Sequence, residues 1–525
     1  MLMPLIAHPT PAARVRRCRQ IALALCCLAL AATTAGAESL PWLKDGRPTP
    51  AAREATAILS AAANEGLDPA DYHADRFAAA LSAGNPPPDD FEPSLTLAMQ
   101  RFLLDVQRGR IDPAQIGENY SAGLAEQPDL GQLLRQAVSD NQLTAAVAAV
   151  RPPAAQYEQL RTALAHYRTL TNDPAWQAPL PPLPGSKLEP GKPWPGLARL
   201  LQRLASLGDL PAGSALPARY EGAAVAGVEA FQRRHGLTPD GVIGKATLEA
   251  LAVTPASRVR QIELALERLR WTPQPQRALV VNVPEFVLRA YDARNGRSEE
   301  RVAMNVIVGK AVRTPTPIFA ADMRHIEFSP YWNVPPSIAR GETIPKLRRD
   351  PAYFEQQGFE FVGRDGQVSG HLSDANLEAV RSGQMRIRQR PGARNALGDI
   401  KFVFPNADNI YLHHTPTPKL FQRDRRDFSH GCIRVEQPVE LAKFVLAGQP
   451  DWDEERIVQA MTRGRSATLQ LKDSLPVVIA YRTATVNAGK VHFFADIYRH
   501  DARLNAALEQ RPLAQGPSGT PKKAS

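Results

Sequence analysis

Ala278–Tyr291 reads ALVVNVPEFVLRAY. Upstream, alanine and leucine recur at helical spacing; here β-branched and aromatic residues take over and partly alternate with polar ones. Asp292–Gly296 supplies a hairpin turn and Arg301–Val308 a further strand. Ile410-Tyr411-Leu412-His413 reads as another strand, after a turn-like Asn406–Asn409. A mainly β domain is therefore expected over residues 277–485, interrupted over 341–390 by an insertion of helices and loops.

Working outward, the 525 residues are too many for one core, and the 47 prolines point to linkers and long loops. Residues 38–178 read as a helical scaffold. Thr49-Pro50 supplies an N-cap and first-turn proline for an alanine-rich helix at Ala51–Ala63. Leu97, Phe102, Leu103 and Val106 form the stripe of a second helix near Leu95–Gln107. Residues 179–195, PLPPLPGSKLEPGKPWP, deny the backbone both helix and sheet and read as a linker or an extended wrapping segment. Residues 196–255 form a small helical module with a tight turn at Asp240-Gly241. A connecting helix follows over 256–276. After the β domain, residues 486–510 are expected to pack on the scaffold or on the β domain, and 511–525 to be a disordered tail. The fold class is multidomain α+β.

Residues 1–37 have the form of a secretory leader. Arg14, Arg16, Arg17 and Arg19 precede an apolar run from Ile21 to Ala32, and Ala35-Gly36-Ala37 makes a small-x-small cleavage site. The run is short of the roughly 20 residues of a spanning helix, which favours cleavage and release into the periplasm; an uncleaved leader would anchor the chain in the inner membrane. Of four cysteines, Cys18, Cys26 and Cys27 lie in this leader, so the exported chain keeps Cys432 alone. No disulfide can form within it, and the thiol is either reactive or a buried, inert side chain. Loss of four arginines takes the formal charge from +10 to +6, with no dense basic block interleaved with aromatics, which argues against nucleic acid as a partner.

Chemistry concentrates in Tyr411–Val435, YLHHTPTPKLFQRDRRDFSHGCIRV. A cysteine nucleophile needs an imidazole nearby, and His413, His414 and His430 are all at hand. Gly431 removes a side chain where a carbonyl must approach, and the Gly431 and Cys432 amides could receive an oxyanion. In an extended segment Arg434 shares a face with Cys432, placed to grip a carboxylate. A zinc site is the alternative, but HH…HGC does not have paired-ligand spacing. Arg423–Asp427 reads as a solvated, self-compensating loop.

This segment resembles the signature of L,D-transpeptidases with the YkuD-type domain: an upstream histidine, a spacer, then Ser/Thr-His-Gly-Cys. VGKAVRTPTP at Val308–Pro317, PYWNVPPSIA at Pro330–Ala339, RPGARNALGDIKFVFPN at Arg390–Asn406 and FFADIYRHD at Phe493–Asp501 resemble the long, YcbB-like branch. Phe231-Gln232, Gly236-Leu237, Asp240-Gly241, Gly244, Thr247 and Leu251 resemble a peptidoglycan-binding domain; the alternative is a three-helix module that binds nothing. The resemblance implies Cys432 as nucleophile, His413 as general base and acid, His430 as an orienting residue and the Gly431 amide in the oxyanion hole. Arg434, Tyr411, His414 and Ser429 would contact substrate, with no metal, cofactor or ATP. His414 stands where many relatives have glycine. The implied reaction joins peptidoglycan tetrapeptide stems 3→3 through a cysteinyl thioester with loss of D-alanine. Cell-wall synthesis proteins are further expected partners, and carbapenems expected inhibitors. Hydrolysis, D-amino acid exchange, lipoprotein anchoring or a non-enzymatic wall-binding role remain the alternatives.

Overall fold

The computed structural model describes residues 40–83, 85–120, 128–294 and 297–511. The expected leader, the tip of the Asp292–Gly296 turn and the expected tail beyond Arg511 lie outside the described residues. Among the described residues no helix is long and apolar enough to cross a membrane.

Helices Pro50–Ser60, Ala74–Ser82, Phe91–Arg108, Leu130–Asp140 and Leu143–Val150 enclose the first core. Thr49 caps the first of them, its hydroxyl accepting from the Ala52 amide at 3.3 Å, with Pro50 in the first turn. The longest helix buries Leu95, Met99, Phe102, Leu103 and Val106. Leu97, placed on the same stripe from sequence, is 47 % exposed. The buried face is centred on Leu95 and Met99, two positions away around the helix.

The second core belongs to helices Leu197–Ser206, Ala223–Arg234 and Lys245–Ala252. The buried Gln232 amide group donates to Asp240 Oδ1 at 3.0 Å and to the Val242 carbonyl at 2.9 Å. It accepts from the Gly241 amide at 2.9 Å, fixing the turn. Gly241 sits at φ +67°, where a side chain is strained. The proline-rich segment wraps this module rather than spanning free space. Leu188 pairs with Ile243 across an isolated bridge, and Leu188 and Trp194 are buried in the core.

The β domain is a closed sheet. Its strands are β1 (Glu118–Asn119), β2 (Ala278–Asn282), β3 (Val287–Arg294), β4 (Arg297–Gly309), β5 (Ile318–Phe328), β6 (Ile400–Val403), β7 (Leu412–His413), β8 (Asp427–Ser429), β9 (Ile433–Val435) and β10 (Ala467–Ala480). The order β6-β7-β9-β4-β3-β2-β10-β5 closes where β6 also pairs with β5, so no long edge is left open. β8 lies parallel to the end of β4, and β1, from the N-terminal region, adds to β5. The interior is filled from alternate positions, such as Leu288 and Ala290 on β3, and from Val306 and Val308 on β4.

The insertion enters between β5 and β6 and is more than helices and loops. Val368–Ser369, Phe359–Gly363, Met385–Gln389 and Trp332–Asn333 form a four-stranded antiparallel sheet. Its own core includes Val334, Ile344, Phe354, Phe361, Leu377 and Ile387. It therefore begins near Trp332, before the expected residue 341. Its strands are short and its partners distant in sequence, which hides them from local patterning.

Helix Pro255–Trp271 ties the parts together. Ile262, Ala265, Leu266 and Leu269 pack against helix Ala155–Thr169 and the hairpin Ala484–Asn487/Lys490–Phe493. Arg268 is fully buried. It donates to Glu118 Oε1 at 3.0 Å and Asp501 Oδ1 at 2.5 Å, and His500 Nδ1 meets the same Glu118 oxygen at 3.1 Å. Burial pushes the Glu118 carboxyl up, but Arg268 and His500 together hold it below its usual value. For Asp501 burial outweighs Arg268, and its carboxyl is raised. The segment 486–510 thus packs on both neighbours, with Arg511 paired to Asp105 of the longest helix at 2.8 Å. Removing one partner of a buried ion cluster costs about 3–5 kcal/mol, because the others keep uncompensated charge. Arg268→Ala is predicted to lose stability of that order, read from the urea midpoint, with loss under 1 kcal/mol contradicting the cluster's role.

Candidate active site

β7 and β9 run parallel, with Leu412 opposite Ile433 and His413 opposite Arg434. The Ile433 amide donates to the Tyr411 carbonyl at 3.1 Å. Because neighbouring residues face opposite sides, Leu412, Ile433 and Val435 enter the core. Tyr411, His413, Cys432 and Arg434 are left on the other face. Nineteen residues of intervening chain are closed by this one pairing.

The His413 ring is 4 % exposed. Its Nδ1 lies 2.5 Å from the His414 carbonyl, which can only accept, so the proton sits on Nδ1 and Nε2 keeps its lone pair. Burial, with the Arg434 guanidinium adding to it, pushes the imidazole down to about 3. It is therefore neutral across the physiological range. Burial pushes the Cys432 thiol up, against hydrogen bonds from the Tyr411 amide and hydroxyl and the charges of Lys401 and Arg434. Sγ donates to the Asn409 carbonyl at 3.8 Å, a long contact even for sulfur. Two neutral groups, not a thiolate–imidazolium pair, are the resting state these environments favour.

Burial lowers the Arg434 guanidinium, and the Cys432 charge opposes this. Its Nη1 donates to Thr417 Oγ1 at 3.4 Å, while the buried Nε has no protein partner among the described residues. A buried donor without a partner suits an anion such as a carboxylate. Burial raises the Tyr411 hydroxyl, as does the Cys432 sulfur to which it hydrogen-bonds. Lys401 Nζ stands 4.5 Å from the Tyr411 ring centre.

Four sequence expectations are revised. Ser429, expected against substrate, is buried and bonded to its own loop: its hydroxyl donates to the Cys432 carbonyl at 2.5 Å and accepts from the Gly431 amide at 3.1 Å. The Gly431 amide, expected to meet an oxyanion, is thereby occupied. His430, expected to orient the site, is bonded instead to the insertion: its Nε2 donates to Glu342 Oε1 at 2.7 Å. Glu342 lies on a π-helical turn, Ala339–Thr343, an irregularity frequent at functional sites. His414, expected against substrate, stacks its ring over Gly398 and faces Asp399 Oδ2 at 3.3 Å. A Cβ on Gly398 would come within 2.6 Å of that ring, and its φ of +61° independently favours glycine. The His414 carbonyl holds the His413 ring, and the His414 imidazole adds to the downward push on His413 through charge.

Arg423–Asp427 is largely solvated and self-compensating, as expected, with Arg423, Asp424 and Arg425 exposed and Arg425 paired to Asp427 at 2.8 Å, but it is also docked at two points. Arg426 lies over the Phe286 ring and its carbonyl accepts from the Val308 amide at 2.9 Å. Asp424 accepts from Thr238 of the second module at 2.5 Å. Sequence reasoning passed over Asn409, Lys401, Thr316 and Glu342. Thr316 lay inside the singled-out stretch Val308–Pro317, but without a chemical signal.

Residues 276–459 match the family model described as "L,D-transpeptidase catalytic domain", residues 35–164 a "Scaffold domain" and residues 195–251 a "Putative peptidoglycan binding domain". A curated protein of Haemophilus influenzae, described as "Putative L,D-transpeptidase", is 30 % identical over 248 residues. That is 47 % of this chain and 49 % of the relative, so the chain spans about half the length of the curated protein it matches.

A neutral Cys432–His413 pair predicts the thiol's reactivity with pH. The alkylation rate with iodoacetamide should rise along one limb whose midpoint lies above that of an ordinary thiol. A fast plateau extending below pH 6 would contradict it.

Proposed function

We propose that this chain, in which an L,D-transpeptidase catalytic domain follows a scaffold domain and a peptidoglycan-binding domain, forms 3→3 cross-links between peptidoglycan stems in the periplasm. The observation that carries the proposal is the shared face of Cys432, His413, Tyr411 and Arg434 across one parallel strand pair.

The reaction would run in two acyl transfers. His413 Nε2 takes the thiol proton as Sγ attacks the carbonyl that follows the L-centre of diaminopimelate in a tetrapeptide stem. A neutral imidazole is already in the base form, and coupling proton removal to attack avoids a standing thiolate in a site that disfavours it. With the Gly431 amide held by Ser429, the Cys432 amide is the donor we assign to the tetrahedral oxyanion. The intermediate collapses, the C–N bond breaks, and His413 returns the proton to departing D-alanine. A thioester to Cys432 remains. The D-centre amine of a second stem attacks it, His413 receives the amine's proton, the C–S bond breaks, and the thiol is restored. Peptide-bond energy is retained through the thioester, so no nucleotide is consumed.

Arg434 is placed for a substrate carboxylate by its unpartnered buried Nε. The insertion reaches the Cys432 loop through Glu342 and His430, so it can act as a lid that keeps water from the thioester. Water, a free D-amino acid or a lipoprotein lysine at the second step would give hydrolysis, exchange or anchoring from the same acyl-enzyme. Carbapenems would acylate the same sulfur.

Incubation with disaccharide-tetrapeptide, read by mass spectrometry, is expected to give the 3→3 dimer and free D-alanine. Cys432→Ala is expected to give neither, a loss of at least 1,000-fold. Tripeptide without dimer would assign the enzyme to hydrolysis, and dimer from Cys432→Ala would overturn the mechanism.

A further inference from the structure

The Cys432 turn is held from outside the catalytic-domain match. Gly431 adopts φ +117°, a conformation that leaves its peptide groups in need of fixed partners. Its carbonyl accepts from Thr316 Oγ1 at 2.7 Å and its amide donates to Ser429 Oγ at 3.1 Å. Thr316 Oγ1 also accepts from the Gly309 amide at 2.9 Å, and the Gly309 carbonyl accepts from the Tyr498 hydroxyl at 2.6 Å. The same hydroxyl accepts from the Thr316 amide at 3.2 Å. Gly309 must lack a side chain here, since a Cβ would stand 1.9 Å from the Thr314 carbonyl. Tyr498, Thr316 and Gly431 are thus joined by buried hydrogen bonds, each group satisfied on both sides.

Tyr498 lies well beyond residue 459, where the catalytic-domain match ends. Its own place is set by its neighbours in the C-terminal segment. Its amide donates to the Tyr481 hydroxyl at 2.8 Å, and the Tyr481 hydroxyl donates to Asp496 at 2.6 Å. The Tyr481 ring stacks on His500 at 4.6 Å, and His500 meets Glu118 of the N-terminal region. We propose that Tyr498, acting through Thr316, is a positioning residue for the Cys432 turn, so that the C-terminal segment completes the active site. The inference rests on the acyl-transfer reading of Cys432. It predicts that the hydroxyl of Tyr498 matters to turnover while its ring matters to folding.

The test uses the full chain with Tyr498→Phe, Thr316→Val, Thr316→Ser and the Tyr498→Phe/Thr316→Val pair. Tyr498→Phe keeps the ring and is expected to lower kcat at least tenfold, with KM for the tetrapeptide donor within about twofold. Thr316→Val should do the same and Thr316→Ser should restore most of the loss. The double variant should be no worse than the poorer single, as expected of groups acting as one unit. Loosening the turn should also expose the thiol, moving the midpoint of iodoacetamide alkylation down towards that of an ordinary thiol. Alkylation does not depend on which acyl group is transferred, so it still reads the turn if wild-type enzyme makes no dimer. Wild-type kcat and an unmoved alkylation midpoint in Tyr498→Phe would overturn the proposal. So would a Thr316→Ser variant as impaired as Thr316→Val, or additive losses in the pair.

Discussion

The parallel pairing of Leu412–His413 with Ile433–Val435 is the constraint on which the site depends. Leu412 on one strand and Ile433 and Val435 on the other face the barrel core, which fixes the register, because a slip by one would turn Leu412 and Ile433 outwards. That same register sets Cys432 beside Tyr411 and Arg434 beside His413. Hydrophobic burial on one face therefore determines reactive geometry on the other. The cost of bringing distant residues together is borne by core packing, not by contacts within the site.

A second layer of order comes from buried charge. Glu118, Arg268, His500 and Asp501 come from three regions distant in sequence, yet form one cluster with little access to water. Such a cluster adds little net stability over an apolar core, but its partners cannot be separated cheaply. It makes the position of the C-terminal segment conditional on the N-terminal region being in place. Glu267 extends the pattern, accepting from the Arg110 amide and pairing with Arg110 and Arg270. Helix Pro255–Trp271 is thus less a connector than the keel of the assembly.

What was legible in the sequence was local or covalent in its signal. The change from helical to alternating pattern at Ala278 marked the β domain, and the His413-to-Cys432 stretch marked the segment whose ends the parallel strand pair brings together. Alternation correctly placed Arg434 on the Cys432 face. What was missed depends on contacts far along the chain. The sheet of the insertion has strands of two to five residues, too short to show a period. Arg268 and Glu267 lie in what the sequence shows only as a connecting helix, since nothing local reveals that Glu118, Asp501 and Arg110 lie more than 100 residues away. Ser429 and the Gly431 amide are recruited to each other by the turn, an outcome that residue types alone do not reveal. Leu97 shows the limit of stripe reading, where a leucine two positions off the buried face was counted in.

The central claim is that Cys432 carries the acyl group. Brief incubation with a tetrapeptide donor, acid quenching and peptide mapping by mass spectrometry tests it most directly. The account predicts the donor stem less D-alanine, attached to the peptide containing Cys432 and released by hydroxylamine as a thioester. Turnover to dimer with the acyl group found on another residue, or with no adduct at Cys432 when the acceptor amine is blocked, would contradict it.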